Sequence, residues 1–448
     1  MATLGKQYDF SARLLTNLRG TDLILTYSRA GLIPSKGLIC HANLLLWGMD
    51  KFARRLTLMQ PSATLAITQA ARDMREQGRD VLMLSAGEPD FETPKHIKQA
   101  AIQAIRDGQT RYTPVDGITP LKQAIADKFA RDNSLNYDLD EITVAPGGKA
   151  VIFNALLATL NPGDEVIIPT PCWVSYPEIV RFCEARPVLL ACPQDQGYKL
   201  RPEQLAAAIT DRTRWFILNS PGNPTGAVYS GSELQGLGEV LARHPHVMVL
   251  SDDIYEHVRY DGRGFATMAA ACPDLRSRCL TMNGVSKAYA MTGWRIGYGA
   301  GPKGLIRAMA RIMAQSTTNP ASISQWAALA AIDGPQDFLE GWRAEWQARR
   351  DQAFADLEKV EGLRLSLPSG AFYLFVDCRN LLGRKSAAGC LPGDDIAFCQ
   401  VLLEECGVAV VPGSAFHAPG HFRLSFVSDT ATLRDACARI ADFCRALK

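Results

Sequence analysis

The stretch Gly284-Val285-Ser286-Lys287-Ala288-Tyr289-Ala290-Met291-Thr292-Gly293-Trp294-Arg295-Ile296-Gly297 decides how this chain is read. Lys287 stands just beyond an apolar run, Cys279-Leu280-Thr281-Met282, of the length of a short buried strand. A lysine at the mouth of a sheet is partly withdrawn from water. That disfavours its charged form and lowers its pKa. The neutral amine is the form that condenses with an aldehyde. Arg295 opens the next apolar run and offers a planar, doubly donating fork suited to a phosphate. For either residue alone, a surface lysine or an ion-paired arginine is the simpler account.

The rest of the chain alternates apolar strand-like runs with helical periodicity from residue 141 onward, the pattern of a parallel sheet covered by helices. Expected strands are Glu141–Val144, Glu165–Ile168, Trp215–Leu218, Val247–Leu250 and Cys279–Met282. Chemistry-bearing residues follow the ends of these runs. Gly147-Gly148-Lys149-Ala150 opens a helix, whose free N–H groups and dipole favour an anion. Trp173 can stack on a flat ring, and Asn223 presents an amide to a phenolate oxygen. Asp252 and Tyr255 put a carboxylate and a phenol three residues apart. That edge is where open α/β sheets bind ligands. Each residue has an ordinary structural explanation; their convergence on one edge does not.

Before that region, Pro61-Ser62-Ala63-Thr64 precedes a helix bearing Ile67, Ala70, Ala71 and Met74, and Val81–Leu84 reads as a strand. Gly87, in the loop Ser85–Asp90, lets backbone come close to a ligand. Residues 96–107 and Leu121–Arg131 read as helices, with Arg111 and Tyr112 in the loop between them. After residue 335 come a long helix from Phe338 to about Lys359, strands at Leu363–Leu365, Phe372–Val376, Val408–Val411 and Phe422–Phe426, a helix at Asp395–Cys406, and a last helix with Leu433, Cys437, Ile440 and Cys444 on one face. Arg423 lies inside an apolar strand, which is costly unless it meets an anion; a protein carboxylate would serve. Gly299-Ala300-Gly301-Pro302-Lys303-Gly304 matches a dinucleotide glycine motif, but no Asp or Glu stands about 20 residues on, so it reads as a turn.

At 448 residues the chain exceeds one typical core. A net charge of +2 gives no reason to expect nucleic acid. The twelve cysteines sit singly in apolar runs, which favours buried reduced thiols and the cytoplasm over disulfides or a metal site. No apolar run reaches the ~18 residues that cross a bilayer.

The stretch around Lys287 resembles the lysine signature of the class I pyridoxal-phosphate aminotransferases, in the bacterial aspartate aminotransferase branch. The resemblance extends over roughly residues 52–446 through the motifs quoted above. It implies the α/β fold of that family: a large domain with a mostly parallel seven-stranded sheet flanked by helices, and a smaller α+β domain built from both chain ends. The expected division is a non-catalytic extension at 1–50, the first part of the small domain at 51–95, a large cofactor domain at 96–335, and the rest of the small domain at 336–448.

The resemblance also implies roles. Lys287 holds pyridoxal phosphate and moves the substrate α-proton, Asp252 keeps the ring nitrogen protonated, and Tyr255 and Asn223 face the ring oxygen. Trp173 stacks on the ring. Gly148, Lys149, Ala150, Ser286 and Arg295 surround the phosphate, and Tyr112 reaches a partner's phosphate across a homodimer interface. Gly87, Trp173, Asn223, Lys149 and Arg423 meet the substrate, Arg423 through the α-carboxylate and Lys149 through a distal carboxylate. The substrates are an amino acid and a 2-oxo acid, aspartate and 2-oxoglutarate above others. An aminotransferase acting on alanine, aromatic amino acids or prephenate stays open. So do a lyase or decarboxylase on the same fold and a non-catalytic cofactor-bound regulator. Two residues depart from the family pattern: Asp253, where Glu is usual, and Gln60, where a basic residue often meets the distal group.

Overall fold

The computed structural model describes residues 52–60 and 63–448. The expected extension at 1–50 and the segment Pro61-Ser62 lie outside the described residues. In chain order the strands are β1 (Leu82–Met83), β2 (Ile142–Ala145), β3 (Glu165–Thr170), β4 (Arg186–Ala191), β5 (Thr213–Asn219), β6 (Met248–Asp252), β7 (Cys279–Gly284), β8 (Gly297–Ala300), β9 (Arg364–Leu365), β10 (Tyr373–Asp377), β11 (Val408–Ala409), β12 (Val411–Pro412) and β13 (His421–Ser425).

Seven of them form one sheet in the order β2-β8-β7-β6-β5-β3-β4. All run parallel except β8, which is antiparallel to both β2 and β7. The apolar runs of β3 and β5 follow from burial on both faces. Val166, Ile168, Trp215 and Ile217 belong to the core on one side, and Ile167, Phe216 and Leu218 to the core on the other.

A second sheet, β12-β13-β10-β9, is antiparallel throughout. It has its own core, in which Phe372, Leu374, Phe422 and Leu424 pack with Trp346, Leu433 and Ile440. The helices behind it are Phe338–Leu357 and Thr430–Ala446, and the latter buries Leu433, Cys437, Ile440 and Cys444 as its periodicity predicts. β1 pairs in parallel with β11, so residues 82–83 lie beside residues 408–409.

Two readings need correction, and one strand goes unread. Val408–Val411 is not one strand: Val408–Ala409 pairs with β1, and Val411–Pro412 with β13. The chain changes sheets at the fully buried Val410, and a uniformly apolar run carries no mark of such a switch. The glycine-rich segment at 299–304 is not a plain turn, since Gly299-Ala300 completes β8 and the helix Lys303–Ala314 begins at Lys303. β4, an edge strand with exposed ends and half-buried middle, is absent from the sequence reading although Pro187–Ala191 is an apolar run.

β8 is glycine-rich for a packing reason. A Cβ on Gly297 would stand 2.2 Å from the Gly148 nitrogen and 2.4 Å from the Gly147 carbonyl carbon. The start of the helix Gly148–Thr159 therefore lies directly against strand backbone. This contact puts the helix opening beside β7 and the segment that carries Lys287.

Candidate active site

The strand ends converge on a cavity of about 360 Å³. Its wall includes Gly87, Gly148, Lys149, Trp173, Asn223, Asp252, Tyr255, Ser286, Lys287, Arg295 and Arg423, all read from the sequence as site residues. Asp252 ends β6, Asn223 follows β5, Trp173 follows β3, and Lys287 stands three residues past β7.

Lys287 donates from Nζ to the Gly87 carbonyl at 2.6 Å. Burial, and then the Arg423 cation, push its pKa down to about 8, which makes the neutral amine accessible near neutral pH. Asp252 is 3% exposed. Its Oδ2 accepts from the Tyr176 hydroxyl at 2.5 Å and its Oδ1 from the Ile254 N–H at 3.2 Å. Burial raises its pKa to about 6, against the opposing pull of these hydrogen bonds and of Lys287. A cationic N–H in the cavity would restore its ionised form.

Arg423 is buried on β13. Its Nη1 donates to Asn223 Oδ1 at 3.0 Å and its Nη2 to the Ser85 carbonyl at 2.7 Å. Its Nε has no hydrogen-bond partner. The guanidinium lies over the rings of Tyr373, at 4.3 Å, and Phe416, at 4.9 Å. Among the described residues no carboxylate pairs with it. The simpler account of this arginine, an internal salt bridge, is thereby excluded for those residues. A buried cation held only by neutral acceptors and rings suits an incoming anion.

Another part of the cavity wall is formed by the start of a helix and an arginine. The helix Gly148–Thr159 begins without a side-chain cap at Gly147, and Arg295 lies against Gly147 while its Nη1 donates to the Thr292 carbonyl at 2.8 Å. Ser286 supplies a hydroxyl there. Lys149 Nζ sits 5.0 Å from the Trp173 ring. Burial, and then Arg295, lower its pKa.

Two predicted residues are elsewhere. Ala150 does not line the cavity, and its N–H is already donated to the Gly147 carbonyl at 3.0 Å. Tyr112 is 90% exposed and far from being a wall of this cavity. Arg111 and Gln60 are exposed and do not line it either.

The family profile described as "Aminotransferase class I and II" matches residues 79–440. The chain is 54% identical over 392 residues to the aspartate/prephenate aminotransferase of Cereibacter sphaeroides, covering 88% of this chain and 98% of that one. It is 53% identical to the aspartate aminotransferase of Rhizobium meliloti, covering 88% and 96%. The crystal structure of the Rhizobium meliloti aspartate aminotransferase superposes with a TM-score of 0.86 at 52% identity, over 89% of this chain and all of that one. The Thermus thermophilus aspartate aminotransferase with maleate gives a TM-score of 0.82 at 43% identity, over 88% and 99%. This chain belongs to the class I and II aminotransferases.

The cavity of this aminotransferase also contains groups that the sequence reading left without a task. Tyr176 holds Asp252; it stands three residues past Trp173, in the first turn of the helix Ser175–Phe182, and that closeness was the available signal. Tyr373 and the Thr68–Ser85 hydroxyl pair, 3.3 Å apart, also line the cavity. Their sequence neighbours gave no sign of it, because the contacts are made across distant segments of the aminotransferase chain. Asp253, beside Asp252, turns away from the cavity: its Oδ1 accepts from Ser251 at 2.7 Å.

Proposed function

We infer that this aminotransferase uses pyridoxal phosphate to move the amino group of L-aspartate to 2-oxoglutarate. The observation that carries the substrate reading is Arg423, a buried guanidinium without a carboxylate partner among the described residues, which suits an α-carboxylate entering the cavity. The cavity's other groups fit the cofactor: an uncapped helix start and Arg295 for a phosphate, Trp173 for a ring face, Asp252 for a protonated ring nitrogen, and Lys287 for an aldehyde. When bound, the ring supplies an electron sink that makes the substrate α-proton removable. Lys287, with its lowered pKa, is the group that carries that proton as base and then as acid. Asp252, ionised against the ring nitrogen, keeps that nitrogen protonated. Arg423 and Asn223 fix the substrate carboxylate, and so orient the Cα–H toward Lys287. Two substrates using one cavity in turn give ping-pong kinetics.

Lys149 is the proposed ligand of the distal carboxylate, since its ammonium lies at the cavity wall beside Trp173. The maleate in the Thermus thermophilus relative, a dicarboxylate, supports this class of substrate. The name of the Cereibacter sphaeroides relative supports prephenate as a second amino-group acceptor, while the uncharged Gln60 argues for weaker binding of larger dicarboxylates. A homodimer in which Tyr112 completes the partner's site accounts for an exposed tyrosine on that loop. The domain division at residues 95 and 335, a non-catalytic extension at 1–50 and a cytoplasmic location belong to the same proposal. No described helix is long and apolar enough to cross a membrane.

The test is kcat/KM for aspartate, alanine, phenylalanine and prephenate, in the wild type and in Lys149→Ala. Preference for aspartate, reduced in the variant, is expected. Preference for alanine or phenylalanine, or a variant that keeps the full aspartate preference, removes the substrate assignment.

A further inference from the structure

Tyr373 stands where the groups assigned to the cofactor meet those assigned to the substrate. It lies on β10, is 1% exposed, and forms part of the cavity wall. Its hydroxyl is 2.8 Å from the Tyr255 hydroxyl. Its ring carries the Arg423 guanidinium at 4.3 Å. A Cβ on Gly87 would come within 2.4 Å of the Tyr373 hydroxyl, so the Gly87 backbone passes directly over it. The same glycine's carbonyl accepts from Lys287 Nζ.

The two ends of this side chain do separable things. Of two phenols in contact, one donates to the other. When Tyr373 donates, the Tyr255 hydroxyl keeps its own proton for an acceptor in the cavity. Burial raises both phenolic pKa values, so both protons are present at neutral pH. The ring has a different task. Arg423 has neutral acceptors at Nη1 and Nη2 and none at Nε. The negative face of the Tyr373 ring, together with that of Phe416, holds the guanidinium without neutralising it. An ordinary core tyrosine would also be buried here. It would not need its hydroxyl on Tyr255 and its ring face on Arg423 at once.

We propose that Tyr373 is a positioning residue that couples the two halves of the site: its hydroxyl aims the Tyr255 phenol at the cofactor, and its ring orients Arg423 for the substrate carboxylate. This rests on the cofactor and substrate reading given above.

Tyr373→Phe keeps the ring and removes the hydroxyl; Tyr373→Leu removes both. Three quantities separate them. The first is the affinity of cofactor-free protein for pyridoxamine phosphate, which binds without a covalent bond, followed by tryptophan fluorescence. The second is inhibition by maleate, and the third is kcat. Tyr373→Phe is expected to weaken pyridoxamine phosphate binding and lower kcat, each by about fivefold for one hydrogen bond, and to leave maleate inhibition unchanged. Tyr373→Leu is expected to weaken maleate inhibition as well, by about fivefold or more. A Tyr373→Phe protein with wild-type cofactor affinity and kcat overturns the proposal, and that arm decides even where Tyr373→Leu is insoluble. Equal loss of maleate affinity in both variants overturns it too. Lys287→Ala serves as the separate control: persistent transamination there overturns the cofactor reading itself, whatever Tyr373 does.

Discussion

Lys128 and Arg423 are both buried cations, and they are treated in opposite ways. Lys128, on the helix Thr119–Asn133, is 1% exposed and donates to Glu256 at 2.5 Å and to Asn133 Oδ1 at 2.8 Å. Glu256 also accepts from Asn283 at 2.6 Å, and Asn283 Oδ1 accepts from the Gly284 N–H at 2.7 Å, where the Lys287 segment begins. Arg423 is equally buried and has rings and neutral oxygens but no carboxylate among the described residues. The first cation is satisfied within the fold and joins a helix to the segments bearing Tyr255 and Lys287. The second is left in want of an anion. On the proposed function, the difference separates a charge that belongs to the architecture from one that belongs to the reaction.

The comparison breaks most sharply by substitution. Arg423→Met should lower kcat/KM for aspartate by about 10³-fold, on the order of 4 kcal/mol, and leave the unfolding free energy within about 1 kcal/mol of wild type. Lys128→Met should do the reverse in kind, with a loss of about 3–5 kcal/mol of stability, because it strands the Glu256 carboxylate. Denaturant unfolding beside steady-state kinetics reads both; an Arg423→Met protein that unfolds as readily as Lys128→Met would erase the distinction.

A smaller version of the contrast lies within one dipeptide. Asp252 faces the cavity and Asp253 faces Ser251 and Thr267. Asp252→Ala should reduce kcat by about 10²-fold or more, in the range of a lost catalytic electrostatic partner, and Asp253→Ala by much less. Kinetics of both variants check the order of damage.

The pH dependence sharpens the account of Lys287. Its folded pKa, about 8, is depressed from 10.5, so the neutral amine is gained as pH rises through about 8. The rate at which cofactor-free protein takes up pyridoxal phosphate should rise from pH 6, reach half its maximum near pH 8, and level off above that. An unshifted lysine would keep accelerating toward pH 10.5. Absorbance stopped-flow distinguishes the two profiles. The smallest effect is expected from removing residues 1–48, which should leave melting temperature and kcat/KM near wild type; insolubility or inactivity of the truncated chain would make that segment structural.

What the sequence made legible follows from distance along the chain. Asp252, Asn223, Trp173 and Lys287 were found because each follows its own strand, and strand ends in an alternating α/β pattern share one edge. The central strands were found because burial on both faces leaves nearly unbroken apolar runs. Tyr373 was not found: it meets Arg423 diagonally across β10 and β13, whose register pairs Phe375 with Arg423 and Tyr373 with Ser425. Nothing local to residue 373 records that pairing. Lys128 and Glu256 are likewise joined only by the fold, at a separation of 128 residues. The switch at Val410 is invisible because both sheets ask for the same apolar side chains.

The bare backbone contact between Gly297 and the start of the helix Gly148–Thr159 has a consequence for how accurately the site is built. Side chains between two elements act as compressible spacers, because rotamers give way by tenths of an ångström. Here there is no spacer. The helix opening is registered against the sheet by two covalently rigid surfaces in direct abutment, like a machined part seated on its datum. Tolerance is smallest at the corner assigned to the phosphate, and the ring and reacting carbon of the proposed cofactor are located outward from that fixed point.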